Sequence, residues 1–160
     1  MTNGSGPVDE IENHAGSSDA VDPPMTALER QIFQVVNAST APLWLAMIVA
    51  PNSKLTAWLM RIAAPIFVGL GVTYSGLLAA GVTDGGERIN FMDPDSLRAG
   101  LKSPKAFLAG WTHYLAFDLF VGRWIWQESV AAGRPARLSL LLTWWAGPLG
   151  LTLFLLRRRR

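Results

Sequence analysis

The run from Phe107 to Trp126 constrains this chain most. It is apolar and about 20 residues long, enough for a helix to cross a bilayer at 1.5 Å rise per residue. Yet it carries His113, Asp118 and Arg123. If the run is centred in the membrane, Asp118 lies about 2 Å from the midplane and His113 about 5 Å to the other side. A carboxylate at that depth costs several kcal/mol unless it is paired, neutralised or wetted. The remaining apolar segments are therefore read as the packing that makes this polar helix tolerable.

Three further apolar runs flank it, separated by short charged stretches. Half of the 160 residues are hydrophobic and 16% are charged, against about a quarter charged in a typical soluble domain. The pattern predicts an all-α integral membrane protein. It would be a four-helix bundle over residues 28–160, with a short amphipathic surface helix and a disordered acidic tail over residues 1–27. That tail is rich in Gly, Ser, Asp and Glu and cannot bury enough apolar surface to offset its ordering entropy. His14 within it reads as solvated. There are no cysteines, so disulfides, thiolate metal sites and cysteine nucleophiles are excluded. The net charge of +2 comes mainly from Arg157 to Arg160. This basic tetrad follows an apolar run and reads as a membrane anchor, with no stripe or aromatic interleaving of a nucleic-acid surface.

In chain order, the first span is expected from Ile32 to Ala50, with Asn37, Ser39 and Thr40 ahead of a kink at Pro42. A turn at 51–54 leads to a second span from Trp58 to Val82, with Pro65 marking a kink inside it. Gly71, Ser75 and Ala79 recur every fourth residue there, a stripe that lets another helix approach closely. Residues 93–104 predict a surface helix, with Asp93 as cap and Phe91, Met92, Leu97 and Leu101 on the bilayer. The last span runs from Leu138 to Leu156 and contains Trp144, Trp145 and the bend Gly147-Pro148-Leu149-Gly150. Counting basic residues with four crossings puts nine on the side shared by both termini and five opposite. An excess of Lys and Arg marks the cytoplasmic side, so both termini are expected there.

Trp111-x-His113-x-Leu115-x-x-Asp118-Leu119-Phe120-x-x-Arg123, followed by Gly147-Pro148-x-Gly150, resembles the abscisic acid-deficient-4-like family. The stretch from Met47 to Pro51 also resembles that family's first turn, and the likeness covers roughly residues 30–156. Plant members are plastid membrane proteins required for making neoxanthin from violaxanthin. The acidic tail lacks the basic, Ser-rich character of a transit peptide, which implies a bacterial inner-membrane member.

The chemistry implied by the resemblance is the isomerisation of an epoxide to an allenic alcohol. A proton leaves a polyene carbon, the epoxide oxygen gains one, and no electrons are exchanged. An acid and a base inside lipid suffice, so no cofactor is expected. Asp118, His113 and Arg123 are the candidate reactive or orienting groups. At 100° per residue, however, His113 and Asp118 point about 140° apart. Asp118 shares a face with Trp111, Tyr114 and Gly122, and His113 lies nearer Phe117, Phe120 and Trp124. A substrate bridging the two, or a second group supplied by Asn37 or Tyr74 from a neighbouring span, would reconcile them. Trp111, Tyr114, Asn37, Tyr74 and Trp144 are the candidate ligand-binding residues, with Trp58, Trp124 and Trp145 as further aromatic contacts for an apolar polyene or isoprenoid. One His, one Asp and no Cys fall short of a metal site. Two other readings stay open: a non-enzymatic pigment- or lipid-binding scaffold, and a small proton-coupled transporter with Asp118 as relay. Membrane lipids, a second copy of the chain or a carotenoid enzyme are the partners implied, and nucleic acid is not.

Overall fold

The computed structural model describes residues 24–83, 89–90 and 92–158. Most of the acidic tail, Arg88, Phe91 and the last two arginines lie outside the described residues. Among the described residues the fold is entirely helical, with six helices in the order α1 to α6.

Helix α1 (Ala27–Val49) begins five residues earlier than expected because Thr26 and Glu29 form a capping box. The Thr26 hydroxyl accepts from the Glu29 amide at 3.2 Å, and the Glu29 carboxylate accepts from the Thr26 amide at 2.7 Å. This satisfies two otherwise orphaned donors. Pro42 lies inside α1, which runs through it as one helix. The polar side chains before it turn back on their own helix. Ser39 donates to the Val36 carbonyl and Thr40 to that of Asn37.

The expected second span is divided. A short helix α2 (Lys54–Arg61) stands apart from α3 (Ala64–Thr83), with Ile62 and Ala63 between them. The cause is Pro65. A proline suits the first turn of a helix but clashes with a helical conformation in the residues before it. It therefore opens α3 instead of kinking a longer span, and it leaves Trp58 and Arg61 on α2. Helix α2 is capped by Ser53 and locked to α1 by Thr56. The buried Thr56 hydroxyl sits 2.7 Å from the Ala50 carbonyl and 3.1 Å from that of Ala46, adding to the bonds these carbonyls accept from the Ser53 and Ala50 amides at the end of α1.

Helix α4 (Pro94–Gly100) is the expected surface helix, with Asp93 accepting from the amides of Asp95 and Ser96. No residue of it is buried, and Met92 beside it is 93% exposed. Helix α5 (Pro104–Ala131) is 28 residues long and packs against α1, α3 and α6. Leu119, Ile125 and Trp126 of α5 pack into one core with Trp44, Met47, Met60 and Leu140. Leu108 and Leu115 meet α3 through Leu77 and Leu70. The stripe Gly71, Ser75 and Ala79 does not carry this packing, contrary to expectation. All three are exposed, and a Cβ added at Gly71 would meet nothing.

Helix α6 (Arg137–Arg158) departs furthest from the sequence reading. A straight helix of this length would extend about 33 Å. Instead the chain breaks at Ala146, whose φ of −153° and ψ of 79° are non-helical. Residues 147–158 then return alongside residues 137–145. A Cβ at Gly150 would overlap the Thr143 hydroxyl and crowd the Ser139 carbonyl, contacts that a straight helix cannot make. Phe154 rests edge-on against Trp124 at 5.4 Å, and Arg158 pairs with Glu128 at 2.9 Å. Both ends of α6 thus lie beside the C-terminal end of α5. By length and composition alone α1, residues Ala64–Gly81 of α3, and α6 could each cross a membrane. The fold-back makes α6 a helical hairpin instead of one straight helix.

Candidate functional site

The tip of the α6 hairpin meets one face of α5. That face carries Trp111, Tyr114, Asp118 and Gly122, the set aligned by helical periodicity. Two glycines permit close packing here, Gly122 of α5 against α1 and Gly147 of α6 against α5. A Cβ at Gly122 would collide with the ring of Trp44, which is 1% exposed and stacks on Trp144 at 6.4 Å. A Cβ at Gly147 would overlap the Asp118 carboxylate itself.

The break at Ala146 supplies the polar groups around Asp118. Ending one half-helix leaves its last carbonyls without partners, and starting the next leaves its first amides without them. The Tyr114 hydroxyl donates to the freed Trp145 carbonyl at 3.3 Å. The Tyr114 hydroxyl and the Gly147 backbone also lie beside the Asp118 carboxylate. One carboxylate oxygen, Oδ2, is nevertheless buried without a hydrogen-bond partner of its own. The carboxylate therefore lies against the positive end of the returning half-helix, as at the discontinuous helices of transporters.

A row of aromatic rings leads to this carboxylate. Phe107 and Phe33 stack on Trp111 at 6.4 and 5.7 Å, and Trp111 stacks on Tyr114 at 5.4 Å. Asn37 holds the row in place. Its side-chain amide donates to the Phe33 carbonyl, and its oxygen accepts from the Trp111 indole at 3.3 Å.

The other sequence candidates lie elsewhere. His113 is exposed on a different face, 4.4 Å from the Phe117 ring and 5.6 Å from that of Tyr74. It does not converge with Asp118, and Tyr74 accompanies His113. Arg123 has a buried Nε without a partner, and no ion pair joins it to Asp118. Trp144 packs on Trp44 behind the hairpin, while Trp145 is 76% exposed. Among the described residues no three His, Asp or Glu side chains form a group that could hold a metal. Neither Gly147 nor Trp44 stands among the sequence candidates for the site. The Gly147-Pro148-x-Gly150 motif was the available signal for the first, read as a bend and as part of the family resemblance but not as a partner of Asp118.

Fold and site together define a helical membrane protein in which a carboxyl group is held at the tip of a broken helix. The chain belongs to the ABA DEFICIENT 4-like family, whose model matches residues 31–154. It is similar to Protein ABA DEFICIENT 4, chloroplastic, of Arabidopsis thaliana, with 25% identity over 134 residues. That alignment covers 79% of this chain, which spans 60% of the plant protein's length. No solved structure matches the chain.

Proposed function

We propose that this protein modifies a carotenoid or related isoprenoid within the bilayer, by acid–base chemistry at Asp118 and Tyr114. The observation that carries the reading is the buried, unpartnered Oδ2 of Asp118 at the end of the Trp111–Tyr114 aromatic row. Membership of the ABA DEFICIENT 4-like family supports the substrate class.

For an epoxide bound along the row, Asp118 removes a proton from the polyene carbon and the new double bond forms as the C–O bond breaks. Tyr114 gives its proton to the departing oxygen, which becomes the alcohol. Asp118 then returns the captured proton to Tyr114. Atoms and electrons balance without a redox partner. The Gly147 amide and the half-helix dipole hold the carboxylate in place. His113 and Arg123 lie outside this pair, so His113 enters the reading only as a wall contact beside Phe117. Asn37 and Trp111 shape the aromatic wall, and Trp144 supports the hairpin from behind.

The test is conversion of an epoxy-carotenoid in a host membrane that supplies one, followed by chromatography and mass spectrometry. Wild type is expected to convert it, whereas Asp118→Asn and Tyr114→Phe lose at least tenfold, in line with the contribution of a positioned proton donor or acceptor. Full conversion by Asp118→Asn sinks the acid–base reading. Pigment that co-purifies unchanged with wild type would instead assign the protein as a scaffold.

We further propose a topology that differs from the four crossings expected from the sequence. Three helices, α1, α3 and α5, cross, and α6 enters and leaves by the same face. The termini then lie on opposite faces, and the basic count reverses. Nine Lys and Arg accompany the C-terminus and five the N-terminus, within the total of 14. The C-terminal side is thereby the cytoplasmic one.

A further inference from the structure

The return of α6 builds a second feature, far from Asp118. Where its C-terminal end meets the α5–α6 connection there is an open cavity of about 590 Å³, lined in part by Glu128, Arg134, Ser139, Phe154, Arg157 and Arg158. In a straight α6, Arg157 would lie some 30 Å from Arg137. Folding back brings it to the start of its own helix.

The charge on this wall is unbalanced. Glu128 is the acidic residue of the lining, and Arg158 takes it at 2.9 Å while also lying 5.8 Å from the Trp124 ring centroid. Arg134 and Arg157 are exposed and are left without a carboxylate partner among the described residues. Ala136 and Ser139 bring the first turn of α6 to the same wall, with the free amides of a helix start. Phe154, Pro135 and neighbouring alanines make the rest of the wall apolar. The cavity lies at the C-terminal end of the 28-residue α5, which the proposed topology puts at the boundary of hydrocarbon and headgroups.

We propose that this cavity is a phosphate-binding site, filled by the phosphodiester of an anionic phospholipid headgroup. Arg134 and Arg157 supply the charge-assisted donors, Arg158 is held in position by Glu128 and Trp124, and the apolar wall receives the glycerol and upper acyl chain. Two free guanidiniums around one concave wall suit bidentate contact with phosphate oxygens. The site is independent of the Asp118 chemistry.

The test is native mass spectrometry of the detergent-purified chain with phosphatidylglycerol, phosphatidylcholine or inorganic phosphate as probe. Wild type is expected to retain one phosphatidylglycerol in preference to phosphatidylcholine. The double variant Arg134→Gln, Arg157→Gln should lower that occupancy about tenfold, as the loss of charged hydrogen bonds implies. Arg98→Gln on α4 should leave it unchanged. Helical content by circular dichroism checks that the double variant folds. If it does not, Arg134→Gln alone, in the exposed connection, carries the test. Retention of inorganic phosphate with no lipid preference would keep the phosphate site but assign it to the free anion. Equal occupancy by both lipids without phosphate binding, or a folded variant that binds like wild type, overturns the proposal.

Discussion

Three glycines separate the crowded side of this molecule from its open side. At Gly147 a methyl group would enter the space of the Asp118 carboxylate, at Gly122 that of the Trp44 ring, and at Gly71 it would meet nothing. Gly147→Ala and Gly122→Ala are each expected to cost about 1–3 kcal/mol through overpacking, whereas Gly71→Ala should stay within about 0.5 kcal/mol of wild type. Denaturant unfolding in mild detergent reads the difference, and equal losses at all three positions would contradict the hairpin contact at Asp118. Much of the Asp118 surroundings was legible at this scale. The helical period alone places Trp111, Tyr114 and Asp118 on one face and sets His113 apart. Gly147 was not legible as a partner of Asp118, because its role depends on a contact between residues 29 positions apart that exists only after α6 turns back.

Elements were legible where local chemistry decides them and illegible where tertiary contact does. Asp93 with Pro94 announces α4, and the Thr26–Glu29 capping box announces the start of α1. Pro65 was read as a kink within one long span, although a proline more readily opens a helix than survives inside it. The apolar content on both sides of it is continuous, so hydropathy does not reveal the division. Thr56 then fixes α2 against the end of α1. Thr56→Val should destabilise the fold by about 0.5–1.5 kcal/mol by removing the hydroxyl bond to the Ala50 carbonyl, which keeps only the Ser53 amide, again measurable by unfolding in detergent. Tyr114→Phe acts at the other joint. Removing the bond to the Trp145 carbonyl should raise amide hydrogen exchange in residues 145–150 while leaving the middle of α5 protected. Unchanged exchange at the hairpin tip would show that packing of Trp144 on Trp44 suffices to hold it.

At the scale of the whole molecule the question is which ends share a face. Composition counts α6 as an apolar stretch of spanning length, and nothing in its residues distinguishes a crossing helix from a hairpin apart from Gly147 and Pro148. The contacts do distinguish them. The Trp126 indole donates to the Pro51 carbonyl at 2.8 Å, which places the α1–α2 turn beside the C-terminal end of α5. Arg158 reaches that same end through Glu128, while the start of α1 packs with Leu77 and Leu108 at the other. Broken backbone at membrane depth is tolerated where protein buries it, and Gly147 is buried. The chain contains no cysteine, so single cysteines report sidedness without further engineering. Asn52→Cys, Arg134→Cys and Arg157→Cys are expected to react with a membrane-impermeant maleimide from one face of sealed vesicles, and Asp95→Cys from the other. A crossing α6 predicts a different grouping, with Arg157→Cys labelled alongside Asp95→Cys. That one change of partner decides between a hairpin that carries backbone dipoles to Asp118 and a fourth span that passes it by.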